Sequence, residues 1–436
     1  MVVTLITALI FLITYVALVA DKAHKTVVAL VGGSAMLLAM GILRVSTGPA
    51  GHTLPVDLFH HIDLNVILLL AGMMVIVNVM QDTGVFHWAA IRAAKAARGE
   101  PMRILVLFAI ITAVFSAFLD NVTTVLLIAP VSVLVARQLE IDPIPFLLTE
   151  VIASNVGGTA TLIGDPPNIL IGSAAHLSFL AFLWNLAPIV LVLLGIIVLA
   201  ARLLFGRHLH VSNELKALIL DYDESKTIKN PRLLRQCLVV GGATLIGFLL
   251  HGALGVQPAA VALAGASVLL LVTKHDPAHA LERVEWTTLF FFIGLFLVVG
   301  GAQEGGVLRW LTGLVPASAA KHPFGTAVGT LWLSGLLSGV IDNIPLTAAA
   351  IPILRDIGAQ AGPTAAEGLW WCLALGACLG GNATAVGASA NVVVFGIAER
   401  SGCPISFRRF LLYGLPFTLL SLALSTLYVW LRYFLG

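Results

Sequence analysis

GGTATLIGDPPN, residues 157–168, interrupts a chain that is otherwise almost continuously apolar. Glycine costs a helix interior about 1 kcal/mol and proline about 3, so a span that begins near Pro143 cannot run on through Gly157, Gly158, Gly164, Pro166 and Pro167. Backbone unwound at membrane depth needs partners from protein or from a water-lined cavity. A restart at Pro166 is tolerated because proline fits the first turn of a helix, and the positive end of that half-helix then points inward. The stretch therefore predicts a polar cavity inside an integral membrane protein.

The surrounding composition agrees. Of 436 residues, 59% are hydrophobic and 11% charged, against about 25% charged in an average globular chain. Apolar runs at 2–20, 26–43, 64–80, 186–205, 235–252, 257–273, 286–302 and 410–431 are each near the length of about 20 residues that a bilayer core demands. The first run lacks a basic leader and a small-residue cleavage site, and reads as a retained helix. Cys237, Cys372, Cys378 and Cys403 show no paired spacing and read as small apolar filler. The histidines show no metal-ligand spacing, and no nucleotide, cofactor or nucleic-acid motif is present.

The chain also repeats itself. FLDNVTTVLLIAPV (118–131) matches VIDNIPLTAAAIPI (340–353) at an offset of 222, as QDTGVFHW (81–88) matches QEGGVLRW (303–310) and Asp63 matches Glu285. At 223, GGTATLIGDPPN meets GGNATAVGASAN (380–391) with six identities in twelve. The expected fold is an all-α polytopic membrane protein of two inverted-topology repeats. Each repeat has five transmembrane helices, one discontinuous, plus one re-entrant helical hairpin. The first repeat spans 1–205, with its hairpin at about 104–136 and its broken helix at about 143–184. A cytoplasmic linker covers 206–234. The second repeat spans 235–436, with its hairpin at about 326–354 and its broken helix at about 366–398. Whether a hairpin arm crosses fully or not, the number of crossings per repeat stays odd, so the second repeat must lie upside down relative to the first. With 81–103 placed in the cytoplasm, nineteen Lys and Arg fall inside and five outside (Arg44, Arg309, Lys321, Arg355 and Arg432), which puts both termini on the exterior of the cell membrane.

Ionisable groups inside a span are costly and point to function. Asp120 and Asp342, at the hairpin tips, are the first candidates for proton coupling, and each also fits an N-terminal cap for its second arm. Asp165, whose repeat partner is Ala388, is either a helix cap or a further proton-coupling acid. Glu150 is either a relay residue or a charge reaching the water interface. Candidate substrate ligands near the tips are Asn121, Thr123, Thr124, Asn343 and Thr347. Around the two breaks they are Gly158, Thr159, Thr161, Asn168, Gly381, Asn382, Thr384, Ser389 and Asn391. Asn155 reads as a partner for backbone freed by the first break, and Trp286, Trp370, Trp371 and Trp430 as interfacial anchors.

These motifs together, the Asp-Asn hairpin followed by GGTATLIGDPPN and by GGNATAVGASANVVV with AERSG, resemble the ion transporter superfamily. Within it they resemble the arsenite permease and sodium/proton antiporter branch that also holds the melanosomal P protein. The resemblance covers about residues 26–431. It implies elevator-type alternating access, a scaffold that forms a homodimer and a moving part that carries hairpins and broken helices; a soluble ATPase subunit is a compatible partner. The carboxylate-carrying relatives usually have Ser-Asn-Thr at the tips, where this chain has Asp120-Asn121-Val122 and Asp342-Asn343-Ile344. Acidic tips would repel a carboxylate in a low-dielectric site. The resulting expectation is efflux of trivalent arsenic and antimony hydroxides coupled to proton influx, with sodium/proton antiport or anion transport as alternatives. An intramembrane aspartyl protease is disfavoured by the absence of a GxGD motif.

Overall fold

The structure, a computed structural model, describes residues 2–20, 22–47, 58–207, 209–221, 223–313 and 322–435. Lys321, counted above among the exterior cations, lies outside the described residues. Among the described residues all regular structure is helical. The first half contains α1 (Val2–Ala20), α2 (Lys25–Thr47), α3 (Leu64–Asp82), α4 (Val85–Ala96), α5 (Pro101–Phe118), α6 (Asn121–Gln138), α7 (Ile144–Thr159), α8 (Pro166–Ala175) and α9 (Phe179–Phe205). After α10 (Asn213–Asp221) come α11 (Pro231–Leu254), α12 (Pro258–Thr273), α13 (Pro277–Glu282), α14 (Trp286–Glu304) and α15 (Val307–Gly313). The chain ends with α16 (Pro323–Ser338), α17 (Asn343–Ala361), α18 (Pro363–Gly380), α19 (Ser389–Arg400) and α20 (Phe407–Val429). Among the described residues nine helices are long and apolar enough to cross a membrane. The chain is a multi-pass membrane protein.

The helix pattern recurs with the sequence pattern. α3, α4, α5 and α6 begin at Leu64, Val85, Pro101 and Asn121, and α14, α15, α16 and α17 begin at Trp286, Val307, Pro323 and Asn343, each 222 residues later. Boundaries differ from expectation, most plainly around the first broken helix. The first broken helix ends at Ala175, where His176 turns into the left-handed region, and Ser178 then caps α9 through Ala181 N. Residues 179–184 therefore belong to α9, which starts seven residues before the apolar run at 186 suggests. A polar cap, invisible to a hydropathy count, sets that boundary.

Two helix groups make up the interior. In one, α2 packs along α14, and α12 packs along α3 and α11. The Thr26 hydroxyl donates to the Thr287 carbonyl (2.8 Å) near the starts of α2 and α14, and Met36 meets Gly301 farther along, so these two helices run parallel. Ala259 N donates to Asn65 Oδ1 (3.0 Å) near the starts of α12 and α3, and Ile76 meets Gly265 farther on, so this pair is parallel too. Arg283, just before α14, pairs with Asp82 at the end of α3 (2.6 Å), which makes α3 and α14 antiparallel.

In the other group α5 packs along α7, and α16 along α18. Every residue of α7 from Ile144 to Thr159 is buried, as expected of a helix with no polar stripe. Small residues let these backbones approach. A Cβ on Gly157 would overlap the Ala113 backbone, and a Cβ on Gly380, the repeat partner of Gly157, would overlap the Gly335 backbone. Trp371 departs from its expected interfacial role. It is fully buried, with its ring edge-on to Phe182 at 5.0 Å, because α18 is enclosed on all sides over this stretch.

These crossings predict a contrast. Gly380→Val should destabilise the protein by about 2–3 kcal/mol or prevent its recovery as a monodisperse species, because backbone and not a flexible side chain must yield. Gly195→Ala, in α9 with open space around it, should leave the apparent Tm in detergent unchanged or slightly raised. Equal effects of the two substitutions would contradict the packing described.

Candidate functional site

The two breaks hold themselves together before they do anything else. α7 stops at Thr159 and α8 starts at Pro166; α18 stops at Gly380 and α19 starts at Ser389. The intervening carbonyls are buried and need donors. Asn168 Nδ2 donates to the carbonyls of Gly158, Thr159 and Thr161 (3.4, 3.1 and 2.8 Å), and Asn391 Nδ2 donates to those of Gly381 and Thr384 (both 2.8 Å). The Thr161 hydroxyl donates to the Ala117 carbonyl, and the Thr384 hydroxyl to the Gly339 carbonyl (2.6 Å). Ser116 and Ser338 bind the carbonyls of Ser154 and Ala377 in the same way (2.7 and 2.6 Å). Apart from the Asn168 bond to the Thr159 carbonyl, each bond in the first half has its counterpart in the second.

The two tips start helices. Asp120 accepts from Thr123 N (2.9 Å) and Asp342 from Ile344 N (3.1 Å), so both cap the second arm of their hairpin. Asp165 behaves differently. It occupies the cap position of α8 but makes no side-chain capping bond there: Pro166 and Pro167 have no N–H, and the Asn168 N–H goes to the Asp165 backbone carbonyl (2.9 Å). Its carboxylate instead accepts from Asn121 Nδ2 (3.4 Å) and from Asn343 Nδ2 (3.2 Å), one amide from each tip. Both hairpins thus converge on one buried acid.

An amide chain extends from there. Asn121 Nδ2 also donates to Asn155 Oδ1 (3.1 Å), and Asn155 Nδ2 donates to Asn382 Oδ1 (2.9 Å) and Asn391 Oδ1 (3.0 Å). Asn155 therefore links the two breaks through side chains, where the sequence suggested a partner for free backbone. The buried Asn382 Nδ2 has no hydrogen-bond partner.

A cavity of about 320 Å³ opens beside these groups. Of the candidate residues, Asp120, Asp165, Asp342, Asn121, Asn343 and Ser389 line it. Asn168, Asn391, Thr161 and Thr384 are spent on the breaks, and Gly158, Gly381, Thr159 and Asn382 lie in the buried framework behind the wall. Thr123, Thr124 and Thr347 serve their own helix starts, through Asp120 and through the carbonyls of Asp120 and Asn343. Glu150 neither reaches water nor lines this cavity. It is buried in α7, the Ser132 hydroxyl donates to its Oε1, and its Oε2 has no partner. Cys378 is buried, with its thiol 3.5 Å from Asn168 Oδ1.

Six polar lining residues escaped the sequence reading: His24, Lys25, Thr26, Glu285, Thr287 and Thr288, of which Lys25 and Glu285 carry formal charge. Lys25, at the start of α2, reaches across to Asp342 (2.7 Å), where the Ser389 hydroxyl also donates (3.0 Å). Glu285 lines the cavity and accepts from Thr288 (3.2 Å), whereas its repeat partner Asp63 caps α3. The signal for Glu285 was present in the Asp63–Glu285 match, and that for Lys25 in a charge placed at the first residue of an apolar span.

The citrate transporter family profile matches residues 15–376. The chain belongs to that family. An uncharacterized transporter of Mycobacterium tuberculosis is 44% identical over 430 residues, covering 98% of this chain and 97% of its own length. The human P protein is 31% identical over 501 residues, covering 95% of this chain and 58% of the P protein. Two solved structures share the fold. The YdaH transporter of Alcanivorax borkumensis aligns at TM-score 0.56 and 16% identity over 94% of this chain and 98% of its own, and MtrF of Neisseria gonorrhoeae at 0.59 and 13% over 98% of each. This family member is a membrane transporter, in keeping with the resemblance to the P protein branch drawn from the motifs.

The Lys25–Asp342 pair joins the two helix groups, and breaking one side strands the other charge in the cavity wall. Removing one partner of a fully buried pair costs about 3–5 kcal/mol. Lys25 keeps 25% of its side chain exposed, so the loss for Lys25→Met should be smaller, on the order of 2 kcal/mol. Asp342→Asn in the same chain should recover part of it in a double-mutant cycle of thermal unfolding. Strictly additive losses would show that the pair contributes nothing.

Proposed function

We propose that this chain is a proton-coupled secondary transporter exporting trivalent arsenic and antimony hydroxides, by alternating access of two inverted halves about the Asp165 cavity. One observation carries the reading: a single buried carboxylate, supplied by one helix break, held by an amide from each of two hairpin tips. Movement of either tip changes the environment of that carboxylate, which links a proton to a conformational step.

The parallel runs of α2 with α14 and of α3 with α12 support inversion. Because α3 and α14 are antiparallel, α2 must run opposite to α12, its counterpart in the repeat. The basic bias toward the linker side supports exterior termini in the cell inner membrane. A homodimer through scaffold helices and a soluble ATPase subunit are compatible with this reading.

Charge selects the cargo. Asp120, Asp165, Glu285 and Asp342 face the cavity, with Lys25 as the lining lysine. Two like unit charges about 4 Å apart at an effective dielectric constant of about 20 repel by about 4 kcal/mol, so a citrate-like anion is opposed despite the family's title. Carboxylates only accept hydrogen bonds when ionised, and a neutral trihydroxide is a donor of three. The same oxygens favour a second reading, sodium/proton exchange, since hard cations take oxygen ligands.

The test uses purified protein in proteoliposomes containing a pH dye. Arsenite and antimonite should move protons while citrate does not, and Asp165→Asn should abolish that movement without loss of folded protein. Proton movement with sodium alone would transfer the assignment to the second reading. Movement with citrate alone would overturn both.

A further inference from the structure

The cavity between α11 and α12 lies away from the acidic site and, at about 950 Å³, is roughly three times the size of the 320 Å³ acidic one. Its walls are almost wholly apolar, among them Val239, Val261, Val268 and Val272, and Val239, Val268 and Val272 are exposed on the lipid-facing surface. One end is different in kind. Arg232 and Arg235, both exposed, line it, and Gln236 closes the corner by donating to the Val272 carbonyl (3.0 Å).

These arginines sit in the first two turns of α11, whose start Asn230 caps through Leu233 N (3.0 Å). The helix dipole opposes cations there, so they do not serve the helix. Among the described residues neither arginine has an ion-pair or hydrogen-bond partner. An anion placed at this end would meet two guanidinium groups and the positive end of a 24-residue helix together.

The groove supplies the remainder of the ligand. From Arg232 to Gly247 it follows α11 for fifteen residues, about 22 Å, which exceeds the roughly 15 Å depth of one leaflet's hydrocarbon. Gly247 and Gly265 keep its floor low, against Val261 and Thr244. We infer that this groove is a binding site for an anionic phospholipid, with the phosphate held by Arg232 and Arg235 and an acyl chain lying between α11 and α12. A second copy of the chain fits less well. A two-fold axis along the membrane normal would set the arginine pairs of both copies at one depth, facing each other.

Native mass spectrometry of the full chain released from nanodiscs of phosphatidylglycerol or phosphatidylcholine tests this directly. The wild type should retain one phosphatidylglycerol on the order of tenfold more often than phosphatidylcholine, and Arg232→Gln with Arg235→Gln should remove that preference. Val261→Trp, which fills the groove and leaves both arginines in place, should lower retention of either lipid. Equal retention of the two lipids by the wild type overturns the proposal. So does phosphatidylglycerol retention unchanged by both variants, or a cysteine at Val239 that cross-links efficiently to its copy in a second chain.

Discussion

Buried backbone without a helix to satisfy it is the constraint on which this structure depends. Two helices stop and restart among mostly buried residues, and the carbonyls released there need donors from the protein. Asn168 and Asn391 answer that need with one amide group each, while the Thr161 and Thr384 hydroxyls, within the breaks, donate outward to the Ala117 and Gly339 carbonyls of the hairpins. The price is that these residues are consumed by architecture. Polar side chains with the composition of a binding site are, in these positions, bonded to the backbone behind the cavity wall.

The duplication makes the remaining differences informative. At Ser116 and Ser338, Thr161 and Thr384, and Gly157 and Gly380 the halves agree and the shared role is mechanical. Two of the differences bear on the polar network beside the cavity. Asp165 faces Asn121 and Asn343, while its partner position carries Ala388; Asn155 bridges to the opposite break, while its partner position carries Cys378. A symmetric frame therefore holds one carboxylate at the meeting point of both tips. Two equivalent acids at that point would repel each other.

The cavity also joins the two groups of helices chemically. Lys25 and Glu285 come from the starts of α2 and α14 in one group, and Asp120, Asp165 and Asp342 from tips and a break in the other. Tyr15 adds a further link, its hydroxyl donating to the Pro345 carbonyl just beyond the second tip (2.9 Å). Any relative movement of the groups must open or reform the Lys25–Asp342 contact.

Composition, apolar run length and the offset of 222 were enough to give membrane insertion, the helix order, the two breaks and the acidic tips, because these follow from local chemistry: bilayer thickness, helix propensity and the cost of a buried charge. Local chemistry could not say which side a polar side chain would face. Thr161, Asn168 and Asn391 resemble ligands in sequence and bond across the breaks, and the start of α9 depended on Ser178, one polar residue in an apolar context. Lys25 and Glu285 entered the cavity only through packing that brings residues 317 positions apart, Lys25 and Asp342, within hydrogen-bonding distance. Sequence settles which groups must be satisfied; the tertiary structure alone decides which of them are satisfied by one another and which are left facing the cavity.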